Sequence, residues 1–109
     1  MDFSLSEEQR MLQDSLNKFV QNQYIYEHRR KLAASELGYS REQWAQFAEL
    51  GWLCLPFSEE DGGIGAGPVE TMLLMDAFGR GLVLEPYFAS IVLCGGILKR
   101  AANAEQRSR

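Results

Sequence analysis

Gly62, Gly63, Gly65 and Gly67, followed at once by Pro68, are the residues of this 109-residue chain whose types and spacing come nearest to ligand chemistry. Glycine lets backbone N–H groups approach an anion, and a proline-led helix puts a positive helix end beside them. The pattern departs from a phosphate cradle in its details. It is neither GxGxxG nor GxxxxGK followed by Ser or Thr, and no strand precedes it. Glu59, Glu60 and Asp61 also bring negative charge to where a pyrophosphate would lie. These glycines are expected to shape a turn.

The same three carboxylates could serve as acid/base or metal-binding groups, but adjacent positions point in different directions and no histidine accompanies them. Capping or a surface ion pair is the expected role. His28, the one histidine, sits in an EHRR run on what should be a solvated helix face. Cys54 and Cys94 form no CxxC and have no histidine at ligand spacing, so they read as buried free thiols rather than a zinc or redox site. No nucleophile, base and orienting group assemble from these residues, so no catalytic or metal-binding residue is expected among them.

The elements that would carry such groups are all helical. Ser6 with Gln9 has capping-box spacing, and Leu12, Leu16, Phe19 and Val20 recur at the helical period, predicting a first helix over Glu7–Gln23. Residues 24–37 should continue helically, with Ile25, Leu32 and Ala33 on one side and Glu27, Arg29, Arg30 and Lys31 on the wet side, until Gly38 provides a left-handed cap. Ser40 with Gln43 repeats the capping box, ahead of a stripe of Trp44, Phe47, Ala48 and Leu50 that stops at Gly51. Residues 52–56 are too apolar for a solvated loop and should tuck inward. Pro68 starts a further helix through Val69, Met72, Leu73, Met75, Asp76 and Phe78, ending near Gly79 to Gly81. A last helix opens at Glu85 and Pro86 and runs towards Arg100. In it Gly95 and Gly96 each cost about 1 kcal/mol relative to alanine, which predicts close approach by another helix. The tail 101–109 suits the start of one more.

Trp44, Phe47, Trp52, Phe57 and Phe78 are core residues by spacing, whereas Tyr87 and Phe88 open the last helix beside a break, where side chains can face a cavity. A chain of this length is at most one domain, burying roughly 65% of its unfolded surface. Its net charge of −4 argues against a nucleic-acid binder. The opening MDFSLSEEQR lacks the positive and apolar regions of a secretory signal, and the longest apolar run, near 89–98, is far short of a bilayer span, so no membrane insertion and a cytoplasmic location are expected.

Three stretches together resemble the N-terminal helical domain of the acyl-CoA dehydrogenase family. MDFSLSEEQRMLQDSLNKFV is similar to its first helix, WAQFAELGWLCLPFSEEDGGIGAG to its helix-then-loop signature, and VETMLLMDAFGRGL to the helix that follows. The resemblance covers essentially the whole chain in order. It implies an all-α, orthogonal domain of five or six helices spanning residues 1–109. The family's central β-domain and C-terminal helical bundle would lie outside this sequence, with Ala101 to Arg109 approaching the former.

It also implies a parent enzyme that introduces an α,β double bond into an acyl-CoA thioester. FAD would be held mainly by the other two domains, not by this piece alone, and the carboxylate base would come from the C-terminal bundle. Implied partners are the acyl-CoA substrate, the remainder of the chain, a homo- or hetero-oligomer and electron-transferring flavoprotein. The domain's own share would be one wall of the acyl pocket, by position Met72, Met75 and Asp76, then Arg80, Leu84, Tyr87, Phe88, Ala89 and Ser90. The turn 79–87 looks closer to bacterial homologues acting on unusual acyl-CoAs, some of them paired unlike subunits, with Arg80 or Tyr87 meeting a polar or bulky acyl end. Two other readings stand beside this one: an independent interaction module using the 87–98 face, and a fragment that self-associates through surface normally covered.

Overall fold

The computed structural model describes residues 3–109; Met1 and Asp2, which open the first of the quoted stretches, lie outside the described residues. Six α-helices follow in order: α1 (Glu7–Gln23), α2 (Tyr26–Ala33), α3 (Arg41–Glu49), α4 (Pro68–Gly81), α5 (Gly95–Ala101) and α6 (Ala104–Ser108). A 3-10 turn at Glu59–Asp61 and a π-helical stretch at Phe88–Cys94 complete the list, and no strand occurs among the described residues. No described helix is long and apolar enough to cross a membrane. The chain divides into two compact units, the described part of Met1–Tyr39 with Val69–Leu84, and Ser40–Pro68 with Glu85–Arg109.

The first unit is built from α1, α2 and α4. Ser6 and Gln9 form the full reciprocal capping box, so α1 starts and stops where its sequence places it. Leu16 and Phe19 are buried on α1, and Leu73, Leu74, Ala77 and Phe78 on α4. Gln9 Nε2 donates to Glu70 Oε1 at 3.1 Å, tying the starts of the two helices together.

The expected continuous helix over 24–37 is corrected to the shorter α2. Tyr24 is a non-helical C-cap whose ring is buried 6.2 Å from Phe19 and whose hydroxyl accepts from the Leu84 N–H, so its burial breaks the chain direction. Beyond Ala33, the Ser35 hydroxyl donates back to the Leu32 carbonyl and accepts from the Gly38 N–H, a side-chain turn that competes with further helix. Gly38 does take a left-handed φ of 77°, but outside the helix. No residue of α2 is buried; Ile25 is exposed and Leu32 only half-buried.

α4 ends where expected, yet the left-handed residue is Leu82, at φ 51°, and neither Gly79 nor Gly81. Leu82 N–H donates to Gly79 O and Val83 N–H to Phe78 O, the bonding of a Schellman cap.

The second unit is organised by α3 and the last helix. Ser40 accepts from the Gln43 N–H, one half of the expected box. Its own N–H donates instead to Glu85 Oε2 at 3.4 Å, a buried carboxylate delivered from 45 positions along the chain. α3 closes in a Schellman cap: Gly51 is left-handed at φ 80°, Gly51 and Trp52 donate to Ala48 and Phe47, and the rings of Phe47 and Trp52 lie 5.5 Å apart. Trp52 and Leu55 then tuck inward, as their apolar run requires. Of the expected core aromatics, Phe47, Trp52 and Phe78 are buried, while Trp44 and Phe57 are half-buried. Helical structure continues from Tyr87 through Ala101, with π geometry over Phe88–Cys94. The tail forms α6 under a capping box of Asn103 with Gln106.

Candidate functional site

The backbone of the glycine loop is already committed to its own turn. Five consecutive N–H groups are already used internally: Gly62 to Glu59 O, Gly63 to Ser58 O, Ile64 to Cys54 O, Gly65 to Phe57 O and Ala66 to Leu55 O. A phosphate cradle needs those donors pointing at the ligand. The segment 54–66 is instead a loop folded on itself, and it does not fit a FAD pyrophosphate. Gly63 presses so closely on the Phe57 backbone that a Cβ would overlap the Phe57 carbonyl. Ser58 Oγ donates to Asp61 Oδ2 at 3.0 Å, and Arg107 reaches Asp61 at 3.4 Å, so this carboxylate does pair locally.

Among the described residues, no group of three or more His, Cys, Asp or Glu side chains could hold a metal ion. His28 is exposed. Both cysteines are free, as expected, but burial holds only in part. Cys54 is half-buried with its thiol donating to Gly51 O, and Cys94 is exposed because the last helix turns it outward.

In the first unit, Met72, Asp76 and Arg80 are spaced four apart on α4 and are all exposed, opposite the buried Leu73, Leu74, Ala77 and Phe78. Arg80 Nη2 lies 2.7 Å from Asp76 Oδ2, an exposed i,i+4 pair worth a few tenths of a kcal/mol. Met75 is half-buried beside this stripe, and Leu84 is half-buried beyond the cap. The stripe thus offers a flexible thioether next to a self-neutralised ion pair: a surface for apolar contact with one polar edge, and no proton-transfer machinery.

In the second unit, Tyr87, Phe88, Ala89 and Ser90 occupy the helix start, where the π stretch begins. Tyr87 is 1% exposed and its hydroxyl donates to the Trp52 carbonyl at 2.7 Å. Burial, with a smaller contribution from nearby Cys54, pushes this hydroxyl far above the usual phenol range, so it stays a neutral donor. Phe88 and Ala89 are exposed and Ser90 half-buried. Of Arg80 and Tyr87, then, only Arg80 presents its polar group to solvent. The π geometry adds a residue to the turn and rotates the following side chains relative to α-helical spacing, a feature frequent at functional sites.

By sequence alone Glu85 is only a helix opener. Its buried carboxylate at the N-terminus of α3 is a tertiary contact for which local spacing carries no signal.

Residues 6–109 match the family model for the acyl-CoA dehydrogenase N-terminal domain. The chain is 32% identical over 105 residues to acyl-CoA dehydrogenase FadE27 of Mycobacterium tuberculosis, an alignment covering 96% of this chain and 28% of the relative. It is 34% identical over 107 residues to mitochondrial isovaleryl-CoA dehydrogenase of Pongo abelii, covering 96% of this chain and 25% of that protein. A chain in the crystal structure of the ChsE4–ChsE5 complex from Mycobacterium tuberculosis superposes with a TM-score of 0.87 at 32% identity, over 98% of this chain and 29% of the other. The chain therefore spans roughly a quarter of the length of the curated relatives it matches.

Proposed function

The chain belongs to the acyl-CoA dehydrogenase family, matching its N-terminal domain, and on that premise we propose that it is one part of a longer flavin-dependent enzyme that introduces an α,β double bond into an acyl-CoA. The observation that carries this reading is the agreement of sequence and fold over nearly the whole chain. FAD bound elsewhere in the longer protein would supply the hydride acceptor. The N–H donors of the 54–66 loop are used internally and are not aimed at the FAD pyrophosphate, and the base is expected from beyond these residues.

The share assigned to these residues is shaping acyl-binding surface. On α4 that falls to Met72 and Met75, with Asp76 and Arg80 at the polar edge. At the start of the last helix it falls to Phe88, Ala89 and Ser90, braced from behind by Tyr87 and its hydrogen bond to Trp52. Leu84 holds the turn after α4, its N–H anchored on the Tyr24 hydroxyl. Arg80 suits an acyl chain with a polar or anionic end, since it can exchange its exposed partner Asp76 for a substrate group at little cost. The reading extends to a bacterial, cytoplasmic setting in lipid metabolism, to assembly with a like or unlike subunit, and to electron-transferring flavoprotein as acceptor. The two-protein complex containing the similar structure supports the assembly.

The test is the longer protein, purified and assayed for acyl-CoA-dependent reduction of an artificial acceptor, with its visible spectrum recorded. A flavin band and turnover are expected. Met72→Ala and Phe88→Ala should each change kcat/KM between short and bulky acyl-CoAs by about five- to tenfold, the worth of one or two methylenes of contact. Arg80→Ala should lower the preference for acyl chains with polar ends. A colourless protein would end the enzyme reading; unchanged preferences in all three variants would end the pocket assignment.

The fragment reading is favoured by one observation, the exposed Phe88, Leu93, Ile97 and Leu98 on the last helix. It describes what the 109 residues do when separated from their covering surface.

A further inference from the structure

We propose that the second unit carries a small binding site for a short-chain carboxylate, formed by Phe57, Asp61, Leu98, Lys99 and Arg107. These residues line a cavity of about 150 Å³. A cavity of that volume takes a molecule the size of benzene, about six non-hydrogen atoms. The site is independent of the acyl surface proposed above and does not rest on the dehydrogenase reading.

Its walls and rim are chemically distinct. Phe57 is held from two sides: Gly63 presses on its backbone, and Gly95 lies so close beneath the ring that a Cβ there would sit 2.6 Å from Cζ. With the half-exposed Leu98 it makes an apolar wall, of which the Phe57 side is held by these contacts. The rim carries two cations tethered to the backbone. Lys99 Nζ donates to Pro56 O at 3.0 Å, and Arg107 Nη1 donates to Ala102 O at 2.6 Å. Asp61 is occupied by Ser58 Oγ at 3.0 Å and by Arg107 Nε at 3.4 Å. Two N–H bonds of the Lys99 ammonium and the Nη2 group of Arg107 remain for a ligand.

Two cations against one carboxylate leave the cavity with one excess positive charge in a chain of net −4. That balance selects a monoanion. One carboxylate oxygen can accept from the Arg107 Nη2 group and the other from the Lys99 ammonium, and the Phe57–Leu98 wall calls for an apolar body that inorganic phosphate lacks. Because both cations are already tethered, little side-chain entropy is lost on binding.

Sodium butyrate is the probe, titrated at constant ionic strength into the 15N-labelled longer protein that carries these residues and followed by amide chemical shifts. Saturable shifts confined to the neighbourhood of Phe57, Asp61, Leu98, Lys99 and Arg107 are expected, with a Kd in the millimolar range that suits so small a ligand. Lys99→Gln, on an exposed side chain whose loss leaves the fold intact by circular dichroism, should weaken binding about fivefold. Arg107→Gln should do the same or more. Butan-1-ol, of similar size but neutral, should produce no saturable shift. Absence of saturation with butyrate overturns the proposal, as does equal binding by butanol or unchanged affinity in Lys99→Gln. Equally tight binding of inorganic phosphate would overturn the carboxylate assignment and leave a general anion patch.

Discussion

Two side chains in this structure are held against their own preferences. Leu82 sits in the left-handed region, where an L-residue other than glycine or asparagine costs about 1 kcal/mol. It stays there because its N–H and that of Val83 close the α4 cap, while its carbonyl accepts from Arg29 Nε at 2.7 Å. Its side chain is 60% exposed, so little packing is lost on removing it. Leu82→Gly is expected to raise stability by about 0.5 kcal/mol, the relieved strain exceeding glycine's extra entropy in the unfolded chain. Urea denaturation would show the midpoint rising; a fall would mean that the leucine side chain holds the cap. Tyr87 is the other. Its hydroxyl ionises above its ordinary value of 10.0 in the folded chain, so the unfolded chain releases that proton first. The stability contributed by the neutral hydroxyl is therefore whole below pH 10. It drains as pH rises from there towards the folded value, by about 1.4 kcal/mol per pH unit. Tyr87→Phe should cost about 1–2 kcal/mol at pH 7, by taking a donor from the Trp52 carbonyl, and should flatten the loss above pH 10 relative to the unsubstituted chain. Parallel pH–stability curves for the two proteins would refute the assignment.

At the scale of elements, the sharpest contrast lies between two neighbouring glycines of α5. Alanine favours a helix over glycine by about 1 kcal/mol at either position. At Gly95 the added Cβ would meet the Phe57 ring at 2.6 Å, whereas at Gly96 it meets only the mobile end of Arg100 at 3.2 Å. Gly96→Ala should therefore stabilise by about 0.5–1 kcal/mol, and Gly95→Ala should destabilise by about 1–3 kcal/mol, overpacking outweighing propensity. Thermal melts of the two variants moving in the same direction would contradict this. The sequence showed that these glycines needed a reason but assigned it to a neighbouring helix. The loop residue Phe57 supplies it, because local periodicity cannot say which distant side chain arrives. The same limit explains the other departures. Ser6 with Gln9 was legible because both halves of the box lie in one turn. The break at Tyr24 was not, since it depends on burial beside Phe19, and the second half of the Ser40 box comes from Glu85. Among the candidate residues, the four-residue spacing of Met72, Asp76 and Arg80 could be read directly. Which face of the last helix points outward could not, because that helix is apolar nearly all round and partly π.

That apolar helix also governs how the whole 109-residue chain should behave in solution. A helix hydrophobic on every side normally lies within a protein, and surface helices keep one polar face. Here Phe88, Leu93, Ile97 and Leu98 are between 46% and 65% exposed, and in the other unit Val69 and Met72 are 40% and 58% exposed. The relatives are about four times longer than the matched region, which gives such surface something to meet in a longer protein. Alone, the chain should associate, since grouped apolar side chains of this kind drive self-contact. Sedimentation velocity between about 5 and 200 µM is expected to show a concentration-dependent rise in mass, and the double substitution Leu93→Glu with Ile97→Glu should abolish it while leaving the helical circular dichroism unchanged. In the longer protein the same pair should instead lower the melting temperature by several degrees, because carboxylates would then be forced against a dry interface. The two experiments separate the alternatives for this face. Loss of association together with destabilisation of the longer protein assigns it to an intrachain interface. Loss of association with an unaltered longer protein assigns it to contact with another molecule.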